Sequence, residues 1–199
     1  MKKIVLLSIL FVIYTCLVVF CHDVTVYDYG FIVRVQYFLR ELPLVIPLLP
    51  DCILYSVMIA IPLISGSVFY FKQKKYLNIL ILNSIPLITF LLNCIIKLLV
   101  HRVRPPYQLQ IGGIHPDSFS YVSSHSLIVF CLWGVVIYFI NKYVENKKIK
   151  TILISLSIFW ILFVGFSRIW LGVHNPSDVI GAYILGLCLL SVYSLKRWV

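Results

Sequence analysis

The stretch Ser167-Arg168-Ile169-Trp170-Leu171-Gly172-Val173-His174-Asn175-Pro176-Ser177-Asp178 sets an arginine, a histidine and an aspartate between two long apolar runs. Charged groups at the edge of a bilayer span are expensive to keep there, so such a cluster is a functional signal by default. Its local geometry is readable. Asn175 suits a helix N-cap, Pro176 the first helical position, and Asp178 falls in the first turn. His174 then sits just ahead of a helix start, with a carboxylate four residues on and able to face it. An aspartate beside an imidazole fixes its tautomer and makes the opposite nitrogen more basic. Arg168 adds a forked cation suited to phosphate.

Composition says where this cluster lives. The chain of 199 residues is 61% hydrophobic and 12% charged, far from the even balance of a soluble domain. It reads as an all-α integral membrane protein, and its length suits one domain over residues 1–199. The net charge of +10 raises the question of nucleic acid, but the placement of the charges excludes it. Lys2, Lys3, Lys72, Lys74, Lys75, Lys142, Lys147, Lys148, Lys150, Lys196 and Arg197 fall at chain ends or in two short loops. That is the positive-inside pattern of a polytopic protein, not a basic stripe for a phosphodiester backbone. The six cysteines have no metal-ligand spacing. Cys21 and Cys52 flank one outer segment and are the pair that a disulfide would join.

Six spans are expected. Ile4 to Cys21 follows Lys2-Lys3 without a clear cleavage site and reads as a retained signal anchor. His22 to Glu41 carries Tyr27, Phe31, Val35, Phe38 and Leu42 at helical spacing, which predicts a short interfacial amphipathic helix or a connecting loop. Cys52 to Phe71 and Tyr76 to Val100 are the second and third spans, the latter stopped by Pro105 and Pro106. Ser123 or Ser124 caps a fourth span running to about Ile140. Thr151 to Phe166 and Val179 to Val192 supply the last two. With both termini cytoplasmic, every basic loop is accounted for. Lys97 with Arg104, Ser123 with His125, and Arg168 with His174 and Asp178 then all reach the outer ends of spans three to six.

Such a set suits a phosphoryl group. Lys97, Arg104 and Arg168 are cations for its oxygens, and the amides around Ser123 and Ser124 at a helix start form an anion cradle. His174, oriented by Asp178, is the candidate nucleophile, and His125 the candidate general acid. Asp178 has no acidic companion along the sequence, so no metal or other cofactor is expected. Singly, each residue has a plainer reading: Lys97 as a snorkelling side chain, Arg102 and Arg104 as interfacial anchors, His125 or His174 as a core histidine. His101 and His115 read as loop polar residues, Trp170 and Tyr121 as interfacial aromatics.

These residues resemble the type 2 phosphatidic acid phosphatase superfamily, membrane lipid phosphatases with a three-part signature. Lys, six residues, Arg-Pro is matched by Lys97 through Arg104-Pro105. Pro-Ser-Gly-His is met in part by Val122-Ser123-Ser124-His125. Ser-Arg, five residues, His, three residues, Asp is matched by Ser167-Arg168, His174 and Asp178. The resemblance implies a phosphohistidine on His174 supported by Asp178, and a proton from His125 for the leaving oxygen. It also implies that Lys97, Arg104, Arg168 and Ser123 hold the phosphate, with no metal. Ser124 keeps the backbone N–H of the glycine it replaces; if that position needs positive φ, serine costs about 1 kcal/mol.

Similar small bacterial members act on undecaprenyl diphosphate, phosphatidylglycerol phosphate or the phosphates of lipid A. The short loop from Pro105 to Val122 leaves little material for a lid, which favours a compact or terminal phosphate. Undecaprenyl diphosphate is the first expectation, lipid A dephosphorylation the second. The implied setting is a bacterial inner membrane with the site on the periplasmic or outer face. Two other readings use the same pocket: a lipid-phosphate binder or transporter without hydrolysis, and lipid-to-lipid phosphotransfer.

Overall fold

The protein is described by a computed structural model covering residues 2–50, 53–72, 74 and 76–195. Among these residues every regular element is helical. They are α1 (Lys2–Phe20), α2 (His22–Phe38), α3 (Val45–Leu48), α4 (Ile53–Lys72), α5 (Tyr76–Val100), α6 (Ser124–Tyr143), α7 (Lys147–Trp170) and α8 (Pro176–Leu195). A 3-10 turn, Tyr107–Leu109, lies in the loop between α5 and α6. By length and apolar composition, Lys2–Phe20, Leu82–Val100, Ser124–Tyr143 and Lys147–Trp170 can each cross a bilayer. The apolar stretches Ile59–Val68 and Pro176–Val192 are shorter. Cys52 lies outside the described residues, and with it the Cys21–Cys52 pairing.

Helix α6 is the hub. It packs against α5, α7, α8 and α4, while α1 lies along α8. Leu127, Cys131 and Leu132 of α6 are fully buried with Leu82 and Ile85 of α5 and Ala182 of α8. Without a hydrophobic drive between helices in lipid, close approach through small residues does much of the binding. Gly165 of α7 shows it: a Cβ there would lie 2.0 Å from the Tyr183 hydroxyl of α8.

Two readings of outer residues change. Tyr121 and Trp170, expected at the interface, are 0% and 4% exposed. Tyr121 stacks on Phe11 and its hydroxyl pairs with Thr15 of α1 at 2.8 Å. Helix α2 forms where an amphipathic helix was expected, and Tyr27, Phe31 and Phe38 are exposed. Its buried positions, however, are Ile32 and the carboxylate Asp28. A buried carboxylate requires a partner, and the site below supplies one.

The helix ends position the chemistry. Lys97 is in the last turn of α5 and Arg168 in the last turn of α7, while Ser123 precedes α6 and Asp178 lies in the first turn of α8.

Candidate active site

The link from α7 to α8 is a tight turn. Leu171 closes α7 through its N–H to Ser167 O (3.0 Å), and Gly172 takes φ +68°. The amides of Val173 and His174 then donate to Arg168 O at 3.2 and 3.3 Å. Helix α8 opens after Asn175, whose carbonyl accepts from Asp178 N at 3.0 Å. The expected Asn175 side-chain cap is not what works here: its amide group is buried without a hydrogen-bond partner. Asp178 instead reaches back, its Oδ2 accepting from Asn175 N at 2.8 Å. This is one half of a capping box, and a first-turn carboxylate also suits the helix dipole.

That arrangement aims Asp178 at His174. Oδ2 lies 3.6 Å from His174 Nδ1, longer than a formed hydrogen bond but well inside ion-pair range. On the other edge of the ring, Arg104 Nη1 is 3.3 Å from Nε2. A guanidinium only donates, so Nε2 faces it as an acceptor and the ring proton belongs on Nδ1, toward Asp178. The ring is 3% exposed. Burial pushes the His174 pKa down to about 3, with Arg104 and Lys97 adding to the effect and Asp178 opposing it. The lowered pKa favours the neutral ring, with Nε2 as the acceptor that Arg104 faces.

Arg104 is held by the loops on either side. It donates to Ser118 O (2.7 Å), Ser118 Oγ (3.0 Å) and Val173 O (2.5 Å). Burial lowers its pKa, but a guanidinium stays charged regardless. Lys97, nearly buried, donates through Nζ to Phe119 O. Arg168 is 1% exposed; its guanidinium donates to Ser167 Oγ at 3.2 Å and to Pro47 O at 3.4 Å. It meets His174 through its backbone carbonyl.

The start of α6 abuts the start of α8, with Ser123 N donating to Asp178 O at 3.3 Å. Ser123 is the N-cap residue but makes no side-chain cap, because its Oγ accepts from Ser126 Oγ at 2.9 Å. Ser124 is the first helical residue and is absent from the positive-φ positions, so serine bears no left-handed penalty there. Its Oγ accepts from Asn93 of α5. His125 follows in the same first turn, half-buried.

The residues that sequence reasoning passed over are Arg102 and Asp28. Arg102 is no interfacial anchor: it is 9% exposed and lies between two carboxylates. Its Nη2 donates to Asp28 Oδ2 (2.8 Å) and its Nη1 to Asp178 Oδ1 (2.5 Å) and Ser177 Oγ (2.7 Å). Asp28 Oδ1 accepts from Ser177 N at 3.1 Å, and Ser177 Oγ donates to Oδ2. Burial opposes the charge on Arg102, but Asp178 and Asp28 more than offset it and raise its pKa. Asp178 therefore does have an acidic companion, reached across a shared arginine. The sequence signal for Asp28 was slight, a carboxylate lying beside the apolar stripe of α2. Among the described residues, no group of three His, Cys, Asp or Glu converges to hold a metal ion. His101 and His115 keep their plain reading, packing on Phe119 and Tyr107 in the loop.

Comparison with known proteins gives the family. The family model of the PAP2 superfamily matches residues 76–198. Phosphatidylglycerophosphatase B of Bacillus subtilis (strain 168) is 34% identical over 140 residues, 67% of this chain and 64% of that protein's length. A solved structure described as the first transmembrane PAP2 type phosphatidylglycerolphosphate phosphatase, from Bacillus subtilis, superposes with a TM-score of 0.77. That match has 27% identity and covers 100% of both chains. The chain belongs to the PAP2 superfamily.

Proposed function

We propose that this PAP2 family member is a metal-independent lipid phosphate phosphatase working through a phosphohistidine on His174. The observation that carries the reading is the imidazole itself, buried and placed between Asp178 at Nδ1 and Arg104 at Nε2. A binding or transport site needs cations but no oriented imidazole, and this argues against a non-hydrolytic lipid binder. Lys97, Arg104, Arg168, Ser123 and the Ser124 amide hold the phosphate. The uncapped N-terminus of α6 adds partial positive charge. His174 Nε2 attacks phosphorus and the N–P bond forms as the P–O bond to the lipid breaks. His125 gives its proton to the leaving oxygen. Water then attacks the phosphohistidine, losing a proton to His125, and phosphate departs as the N–P bond breaks. Asp178 supports the Nδ1 proton while the ring carries positive charge.

For the substrate we favour phosphatidylglycerol phosphate, ahead of the undecaprenyl diphosphate and lipid A that sequence alone put first. The names of both relatives support that order. A terminal phosphate monoester also suits the short loop between α5 and α6. The topology proposed is six spans, α1 and α4 to α8, with both termini cytoplasmic and the site at the non-cytoplasmic face. The basic groups in the α6–α7 loop and the alternation of helix ends support it. The test is phosphate release in detergent with EDTA from phosphatidylglycerol phosphate, undecaprenyl diphosphate and lipid A. Release from the first, lost in His174→Ala, is expected. No release from any of them, or full activity in His174→Ala, would sink the enzyme reading. A requirement for added divalent metal would sink the metal-free mechanism.

A further inference from the structure

We infer that Asp28 and Arg102 are positioning residues that set the orientation of the Asp178 carboxylate behind His174. The inference rests on the phosphohistidine reading above and deepens it. The two oxygens of Asp178 have separate tasks. Oδ2 accepts from Asn175 N and faces His174 Nδ1. Oδ1 is taken by Arg102 Nη1. With Oδ1 fixed, the carboxylate cannot rotate about its Cβ–Cγ bond without breaking a charge-assisted contact in a buried setting, so the direction of Oδ2 is set by Arg102.

Arg102 in turn has no freedom of its own. Its Nη2 is bound to Asp28 Oδ2, and Asp28 also grips the first turn of α8 through Ser177 N and Ser177 Oγ. Tyr14 of α1 completes the clamp by donating to Ser177 O at 3.1 Å. Asp28 is 6% exposed, buried with Ile32 on a helix whose neighbouring Tyr27 and Phe31 are exposed. The carboxylate is kept buried because Arg102 meets it there. With both hydrogen-bonding ends of its fork on carboxylates, Arg102 is not a phosphate ligand. Arg104, whose partners are carbonyls, a hydroxyl and His174, is.

The charge pattern gives the sign of each perturbation. Two carboxylates and one guanidinium leave one net negative charge beside the ring that must become cationic during phosphoryl transfer. Removing Asp28 frees Arg102 to swing and cancels that charge. Removing Arg102 sets two buried carboxylates against one another and releases Oδ1. Either change slows the chemical step while leaving Lys97, Arg104 and the α6 amides in place to bind phosphate.

The experiment uses the full chain in detergent with the lipid phosphate that wild type hydrolyses best. Asp28→Ala and Arg102→Ala should lower kcat about tenfold or more, as expected when a reacting group is misplaced, with KM within about twofold. Arg102→Lys should recover part of the loss. In an Asp178→Asn background, adding Asp28→Ala should cost less than about twofold, because the group it positions is already disabled. Unchanged kcat in Asp28→Ala, a change confined to KM, or a full multiplicative loss in the double variant would overturn the inference. Where Asp28→Ala does not fold, the isosteric Asp28→Asn carries the test, with the melting curve as its folding control. If wild type itself releases no phosphate, the phosphatase reading fails and this inference with it. If wild type is active and His174→Ala dead while Asp28→Asn is unaffected, this inference alone fails.

Discussion

Gly172 is where the backbone of the α7–α8 link is most exposed to a single added carbon. Three loop glycines share the left-handed region: Gly112 at φ +80°, Gly113 at +73° and Gly172 at +68°. They differ only in what a Cβ would meet. At Gly113 nothing lies within 4 Å; at Gly112 the nearest atoms are flexible ends of Leu171 and Leu48 at 3.1 and 3.2 Å. At Gly172 the nearest atom is the backbone carbonyl oxygen of Leu109 at 1.9 Å. That carbonyl cannot step aside cheaply. Gln36 Nε2 holds it at 2.7 Å and also donates to Trp170 O at 2.9 Å, and Ile111 N pairs with Leu171 O at 2.9 Å. Alanine at Gly113 should therefore cost only the left-handed conformation, about 1 kcal/mol. Alanine at Gly112 should cost slightly more, and alanine at Gly172 about 3 kcal/mol or more, since backbone must move. The displaced turn also carries Val173 O, an acceptor for Arg104, and the His174 amide, so Gly172→Ala should lose turnover as well as stability. Thermal unfolding of the three variants in one detergent, with phosphate release measured alongside, reads both. A Gly172→Ala variant no less stable than Gly113→Ala would refute the reasoning.

Three further outcomes are expected. His174 is pushed down to about 3 from an ordinary 6.5, so below 6.5 the unfolded chain takes up a proton there that the native chain refuses. Stability should fall as pH drops from about 6.5 toward 3, by up to ~1.4 kcal/mol per pH unit from this group. A His174→Ala variant should show a shallower acid slope in melting midpoint, and equal slopes would contradict the burial argument. Arg104→Lys keeps a charge but loses the fork that spans Ser118, Val173 and His174, so kcat/KM should drop about tenfold or more; a loss under twofold would mean that charge alone suffices. Ser124→Gly removes the acceptor of Asn93 and should cost about 1 kcal/mol of stability with turnover within a few-fold of wild type. A collapse of activity would show that the hydroxyl, and not the amide, serves the phosphate.

What could be read from the chain was what local spacing encodes. Lys97 and Arg104 flank a helix end, and His174 and Asp178 flank a helix start. Their proximity across the chain followed from counting spans, because consecutive membrane helices return alternate ends to the same side. The start of α8 shows the limit. From the sequence, Asn175 was the obvious cap, and Asp178 was assigned to His174 alone. In the structure Asp178 does three things at once: it caps Asn175 N, faces His174 and binds Arg102. Nothing local distinguishes Arg102 from an interfacial anchor, since its meaning depends on a carboxylate 74 residues earlier in sequence. Asp28 was equally silent, because α2 has a convincing apolar stripe and the carboxylate lies off it. Short-range signals therefore identify the groups proposed to meet phosphate, which come as cations, amides and an imidazole at helix ends. Groups that hold those in place are chosen by burial and by each other. An arginine two residues before the arginine proposed to bind phosphate looks redundant until one asks what its charge is for. With two buried carboxylates on its fork, Arg102 holds the aspartate that faces His174, the proposed nucleophile.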